Sequence, residues 1–259
     1  MNSTGNDGTG TVTVPRRFRG PSQSANGGYM TGLLVEMVGG TGEITLKAPP
    51  PLDTPMSLVT VAGDGDSTGG LDLLHGDSLV AMVRHSPAPD LELPACPTAA
   101  EATAASAAYP GHHDSPVPHC FVCGRERLEG DALRVFTGPL PDTGDGASAR
   151  PAGMVAAPWV PHANFVDPET GFVADRYVLA ALDCPGAWAF YGESEANMLL
   201  GRMRCTVLGR VRPGDSCTVA AWQLGAEGRK AFAGSAVYGA DGAPVACGYA
   251  TWIRIPKLV

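Results

Sequence analysis

Ser24–Gly32 reads SANGGYMTG and runs at once into LLVEMV, residues 33–38. Two adjacent glycines ahead of an apolar run admit two readings. In the plainer one they form a turn before a helix, with Asn26 as the N-cap whose side chain accepts from the first-turn amides. In the other, something approaches the backbone closely. A residue without a Cβ leaves the unpaired N–H groups of a helix start within reach. Gly39, Gly40 and Gly42 stop the apolar run early, so the helix is short.

Strand-like stretches follow the helix: 43–47 (EITLK), 56–62 (MSLVTVA) and 78–84 (SLVAMVR), divided by the turn-rich PPPLDTP and GDGDSTGG. The GDGDSTGG stretch has neither the ligand spacing nor the closing Glu of a calcium loop. From Pro87 to Pro118 the chain is rich in Ala and Pro, and CPTAAEATAASAAY within it suits one modest helix. After His119 come ALRVFTG and a helical candidate around VLAALDCPGAWAFYG. Four strand candidates close the chain at 201–208, 216–224, 230–238 and 245–255. The two halves share an outline. EITLKAPPPLDTPMSLVTV matches MRCTVLGRVRPGDSCTVAA as strand, Pro-containing bend and strand, and this register sets ANGGY opposite DCPGA.

Composition narrows the function. At 259 residues with 44% hydrophobic content the chain can fill one large core or two modest ones. A net charge of -8 repels phosphate backbones and argues against a nucleic-acid partner. The start, MNSTGNDGTGTVTV, has neither the basic nor the apolar segment of a signal peptide, and no apolar run spans a bilayer. Seven cysteines, an odd number in a chain too long to need staples, point to reduced thiols and a cytoplasmic setting. Walker-type and Rossmann glycine patterns are absent, which disfavours nucleotide and nicotinamide chemistry. No cofactor is expected.

NGGYMTGLLVEM and APPPLDTPMSLV in the first half, with HCFVCG, ALDCPGAWA and the final strands in the second, resemble the hotdog-fold acyl-thioesterases and dehydratases in their tandem, double-hotdog form. The resemblance implies an α+β fold of two curved antiparallel sheets, each wrapped around a central helix. Its organisation would be a flexible tail (1–15), a first hotdog unit (16–92), an Ala/Pro-rich connector (93–118) and a second unit (119–259). It implies an acyl thioester, on CoA or a carrier protein, bound near the helix starts. The carbonyl oxygen would face backbone N–H groups around Gly27, Gly28, Tyr29 and Gly186. Self-association into a homodimer stays open. Asn26 stands where many members carry His, which puts any imidazole mechanism in doubt. Three function readings follow: thioester hydrolase, dehydratase or hydratase of a 3-hydroxyacyl or enoyl thioester, and non-catalytic acyl-binding protein.

Asp183, in the apolar LAALDCPGAW, is the expected catalytic carboxylate, since burying it is costly without a bond or a task. A helix cap is its competing role. Cys184 beside it is the alternative nucleophile, and Glu36 the second carboxylate. Asp175 reads as a helix start or an ion pair. Arg16, Arg17 and Arg19, with Arg202, Arg204, Arg210 and Arg212, are candidates for CoA phosphates. Cys120 and Cys123 have the spacing of half a zinc site, completed only if His112 or Cys96 joins them. With no second pair in the sequence, zinc is expected to be absent or at most structural. The apolar CFVCG reads first as a buried turn opening the second half.

Overall fold

A computed structural model describes residues 9–64, 68–144, 149–192 and 197–256. The first half comprises β1 (Thr9–Thr13), α1 (Gly27–Met37), β2 (Thr41–Leu46), β3 (Pro55–Val61), β4 (Gly70–His75) and β5 (Ser78–Arg84). Then come α2 (Ala99–Ala107) and β6 (Gly138–Pro139). The second half has β7 (Val155–Trp159), α3 (Asp175–Ala180), α4 (Asp183–Trp188), β8 (Asn197–Val207), β9 (Cys217–Glu227), β10 (Lys230–Tyr238) and β11 (Pro244–Ile255).

Among the described residues, all strands join one eleven-stranded antiparallel sheet in the order β1-β3-β4-β5-β2-β8-β11-β10-β9-β7-β6. Outward from the β2–β8 seam the two arms read β2-β5-β4-β3-β1 and β8-β11-β10-β9-β7. In each arm the chain lays down an outer strand, then helix, then the seam strand, then a strand beside the outer one and two more that step back to the seam. The repeat read from the sequence is thus matched by the topology. The expected pair of sheets is corrected to a single sheet, because the seam strands complete each other's ladder from Thr41↔Thr206 to Thr45↔Arg202. Across the seam Arg204 Nη2 meets Glu43 Oε2 at 2.9 Å, and the hydroxyls of Thr41 and Thr206 lie 2.7 Å apart.

Of the expected tail, residues 1–8 lie outside the described residues, and Thr9–Thr13 is the outer strand paired with β3. The connector covers the outer face of the second arm. Ala102 of α2 packs with Ala156, Ala220, Trp222 and Ala236, and Tyr238 donates its hydroxyl to Pro94 O at 2.8 Å. This cover explains why β9 reads as the unbroken apolar run CTVAAW, while β3, with a solvated outer face, alternates more strongly.

On the inner face, α1 buries Met30, Leu34 and Val35 and packs mainly against α3. Approach there is close: a Cβ on Gly32 would lie 2.1 Å from Arg176 O. The expected second helix is broken in two. Pro185 has no N–H to offer Ala181 O, and the interruption between Ala180 and Asp183 sets α4 off from α3. No helix among the described residues is long and apolar enough to cross a membrane.

Candidate active site

Asn26 settles the opening question by filling both roles. With φ -66° and ψ 133° it is the N-cap of α1, and its Oδ1 accepts from Tyr29 N at 2.8 Å. Its Nδ2 donates to Asp183 Oδ2 at 2.9 Å, a bond between residues 157 positions apart. The glycines are needed for this meeting. A Cβ on Gly28 would sit 2.3 Å from Asp183 Cβ and 2.8 Å from Ala180 O, so only glycine lets the helix start reach the carboxylate. Gly27 is less crowded, with its nearest neighbours in the side chains of Leu200 and Leu46.

Asp183 is the first residue of α4 and is 2% exposed. It makes no side-chain cap bond. Instead its carboxyl accepts from the Asn26 amide and faces the Gly28 N–H, with the Cys184 thiol 3.7 Å away, while Oδ1 has no partner. Burial pushes its pKa up to about 7. The nearby Cys120 sulfur adds to the rise, and the three donors pull against it. A neutral-range acid in an apolar pocket is the condition under which a carboxyl can move protons near physiological pH.

The loop HCFVCG is brought to the same place by aromatic packing. Phe121 packs edge-on against Phe18 at 5.0 Å and Tyr29 at 5.6 Å, and its N–H bonds Arg19 O at 2.8 Å. Cys120 and Cys123 therefore point at the α1–α4 junction. The sulfurs of Cys120, Cys123 and Cys184 all lie within 4.8 Å of one another, Cys120 and Cys184 being 3.6 Å apart. Thiol donation from Cys123 and Cys184, helped by the N–H groups of Cys123 and Val122, draws the Cys120 thiol well below its usual value. Giving their protons to that sulfur holds Cys123 and Cys184 well above theirs.

A cavity of about 790 Å³ opens on this junction. Asn26, Gly27, Asp183 and the three cysteines form its polar end, and Trp188, Phe190, Met198, Leu200 and Trp252 its apolar flank. Among the first-turn amides of α1, Gly28 faces Asp183, while Tyr29 bonds Asn26 Oδ1 and Met30 bonds Asn26 O. Gly27 N–H has no partner among the described residues.

Other expected residues stand elsewhere. The Tyr29 ring stacks on Phe18 at 3.9 Å, away from the cavity. Gly186 is a packing position, since a Cβ there would lie 2.7 Å from Trp252 Nε1. Glu36 sits near the far end of α1, taking Arg176 N at 3.3 Å and the Arg176 guanidinium at 3.2 Å. It is the reciprocal of the Asp183 contact, a carboxylate of one helix against the start of the other, but an arginine fills the space. ANGGY and DCPGA are therefore touching partners and not equivalent positions, and α3 is the packing counterpart of α1. His112 bonds Ser106 O and Cys96 bonds Pro97 O, so neither joins Cys120 and Cys123. None of the candidate arginines lines the cavity. The aromatic flank, and the meeting of Cys120 and Cys123 with Cys184, were not read from the sequence because each depends on how distant segments pack together.

No protein-family model matches the chain, and no curated protein sequence matches it. Solved structures do. A tesB protein of Mycobacterium avium subsp. paratuberculosis is similar at 14% identity and TM-score 0.59, over 98% of this chain and 95% of the other. A conserved protein with a hot dog fold from Alicyclobacillus acidocaldarius is similar at 10% identity and TM-score 0.59, over 97% and 95%. A candidate thioesterase from Novosphingobium aromaticivorans is similar at 15% identity and TM-score 0.58, over 96% of each chain. At such identities the likeness establishes a hotdog-type fold.

Proposed function

We propose that the chain is a tandem hotdog protein, with units at 16–92 and 119–259 around a connector, that hydrolyses an acyl thioester at the α1–α4 junction. One observation carries the reading. Asp183 is buried at the wall of a cavity that Gly27 also lines, and its Oδ1 is unpartnered. A water at the Asp183 carboxyl gives up its proton to it as it attacks the thioester carbonyl, and that proton passes to the departing thiolate as the C–S bond breaks. The negative charge that develops on the carbonyl oxygen is met by Gly27 N–H, at the positive end of α1. Asn26 and Gly28 hold Asp183 in place rather than binding substrate. The acyl chain lies along Trp188, Leu200 and Trp252.

With no Lys or Arg among the lining residues, the carrier's phosphates, of CoA or of a carrier protein, sit beyond the cavity mouth. Dehydration is disfavoured because Asn26 has no proton to transfer as an acid. Seven unpaired cysteines support a cytoplasmic setting. The test is a panel of acyl-CoAs of increasing chain length, assayed for free thiol release. Release with at least one chain length supports the reading. Binding of acyl-CoA without release, across the panel, would make the protein an acyl binder instead.

A further inference from the structure

The three thiols at the cavity end have the arrangement of a ligand set. We infer that Cys120, Cys123 and Cys184 form a binding site for one thiophilic divalent cation of the zinc type. This assignment is independent of the hydrolase reading. Ligand atoms about 2.3 Å from a common tetrahedral centre lie about 3.8 Å from each other. The Cys120 and Cys184 sulfurs are already 3.6 Å apart, and all three fall within 4.8 Å, so small side-chain adjustments bring them onto one ion.

The surroundings are built for sulfur ligands. The C-x₂-C-G turn is closed by Gly124 N to Cys120 O at 2.9 Å, and a Cβ on Gly124 would lie 2.5 Å from that same oxygen. Asn26 Nδ2 lies 3.5 Å from Cys120 Sγ and 3.9 Å from Cys184 Sγ. Two of the three sulfurs thus share an outer donor, the kind of contact that orients metal ligands and tempers their charge. All three residues border the cavity, which supplies an entry path and room for a solvent molecule in the fourth position. Asp183 Oδ2 is already engaged by Asn26, so it flanks the triangle without completing it.

The test uses the full-length, untagged, reduced protein. Zinc content is measured by elemental mass spectrometry, and cobalt(II) is then substituted and its X-ray absorption recorded. One metal per chain is expected, with three sulfurs at about 2.3 Å in its first shell. Cys123→Ser and Cys184→Ala, checked for folding by circular dichroism, should each lose the tightly bound equivalent, whereas Cys205→Ser, a buried thiol elsewhere, should keep it. A wild-type protein that takes up no stoichiometric zinc or cobalt overturns the site. So does a first shell of nitrogen and oxygen only, or a Cys120–Cys184 disulfide persisting in place of metal. Because wild-type spectroscopy reads the ligands directly, a variant that fails to fold leaves the decision intact. Thioester turnover is measured separately, so failure of either reading is seen without the other.

Discussion

Asp183 carries the proposed chemistry, and Asp183→Asn tests it with the least change of shape. An amide retains hydrogen bonding but accepts no proton from water. An interaction used chiefly in the transition state shows its loss in kcat more than in KM. Turnover should fall by about 10²–10⁴-fold, the usual contribution of a general base. Acyl-CoA affinity, read by calorimetry, should stay within a few-fold. Unchanged turnover would remove Asp183 from the mechanism. The two glycines separate a second question, close approach against substrate access. In Gly28→Ala the new methyl meets Asp183 Cβ and a backbone carbonyl, neither able to retreat, so stability should fall by about 1–3 kcal/mol and turnover with it. In Gly27→Ala the methyl meets only the Leu200 and Leu46 side chains, and alanine favours the helix by up to about 1 kcal/mol. That variant should melt near the parent while raising KM. Equal losses in both would show that packing alone explains the pair. Asn26 and Asp183 were legible in the sequence because a cap before two glycines and an acid in an apolar run are local anomalies. The bond between them was not, since it spans 157 positions.

At the scale of elements, α1 makes a carboxylate contact at both ends, with Asp183 of α4 at its start and through its own Glu36 at the other. Near its start the contact opens on a cavity, and near its other end Arg176 closes the space around Glu36. Desolvation raises the Glu36 carboxyl while Arg176 and its own N–H pull it back, as befits a structural ion pair. Its partners are roughly a quarter exposed, so Glu36→Gln should cost no more than about 1 kcal/mol. Thioester turnover should be retained. A variant that melts normally yet loses turnover would restore Glu36 as a catalytic carboxylate. Most elements were readable from pattern: α1, α2 and the strands with continuous or alternating apolar residues. β1 escaped because TGTVT looks like a polar tail until β3 lies beside it, and β4 because Asp72 interrupts GLDLLH. The break before α4 was written in Pro185, but its consequence, an Asp turned toward α1, depended on where the other half packs.

Across the whole molecule, the repeat in the sequence corresponds to arms of equal strand order, yet those arms are not separable cores. The β2–β8 seam pairs five residues of one arm with five of the other. One hydrophobic cluster runs from Val12 through Leu34 and Phe121 to Trp252. Arg127, 6% exposed, donates to Arg17 O at 2.8 Å and His119 O at 2.9 Å, fastening the cysteine loop to the first arm. Losing either arm would strip the seam strand of its neighbour and expose the apolar face of the remaining helix, so the arm left folded loses burial with no gain in its own chain entropy. The full chain should therefore unfold in one cooperative step. The placement of tryptophans makes this measurable: Trp159, Trp188, Trp222 and Trp252 all lie in the second half. Their fluorescence reports that arm alone, while hydrogen exchange at the β4 and β5 amides reports the first. Across a denaturant series the two probes should give one midpoint. Separate midpoints, with the β4–β5 amides opening before the tryptophan signal moves, would mean two independently stable units meeting at a weak seam. The site between α1 and α4 would then assemble only when both are folded and docked.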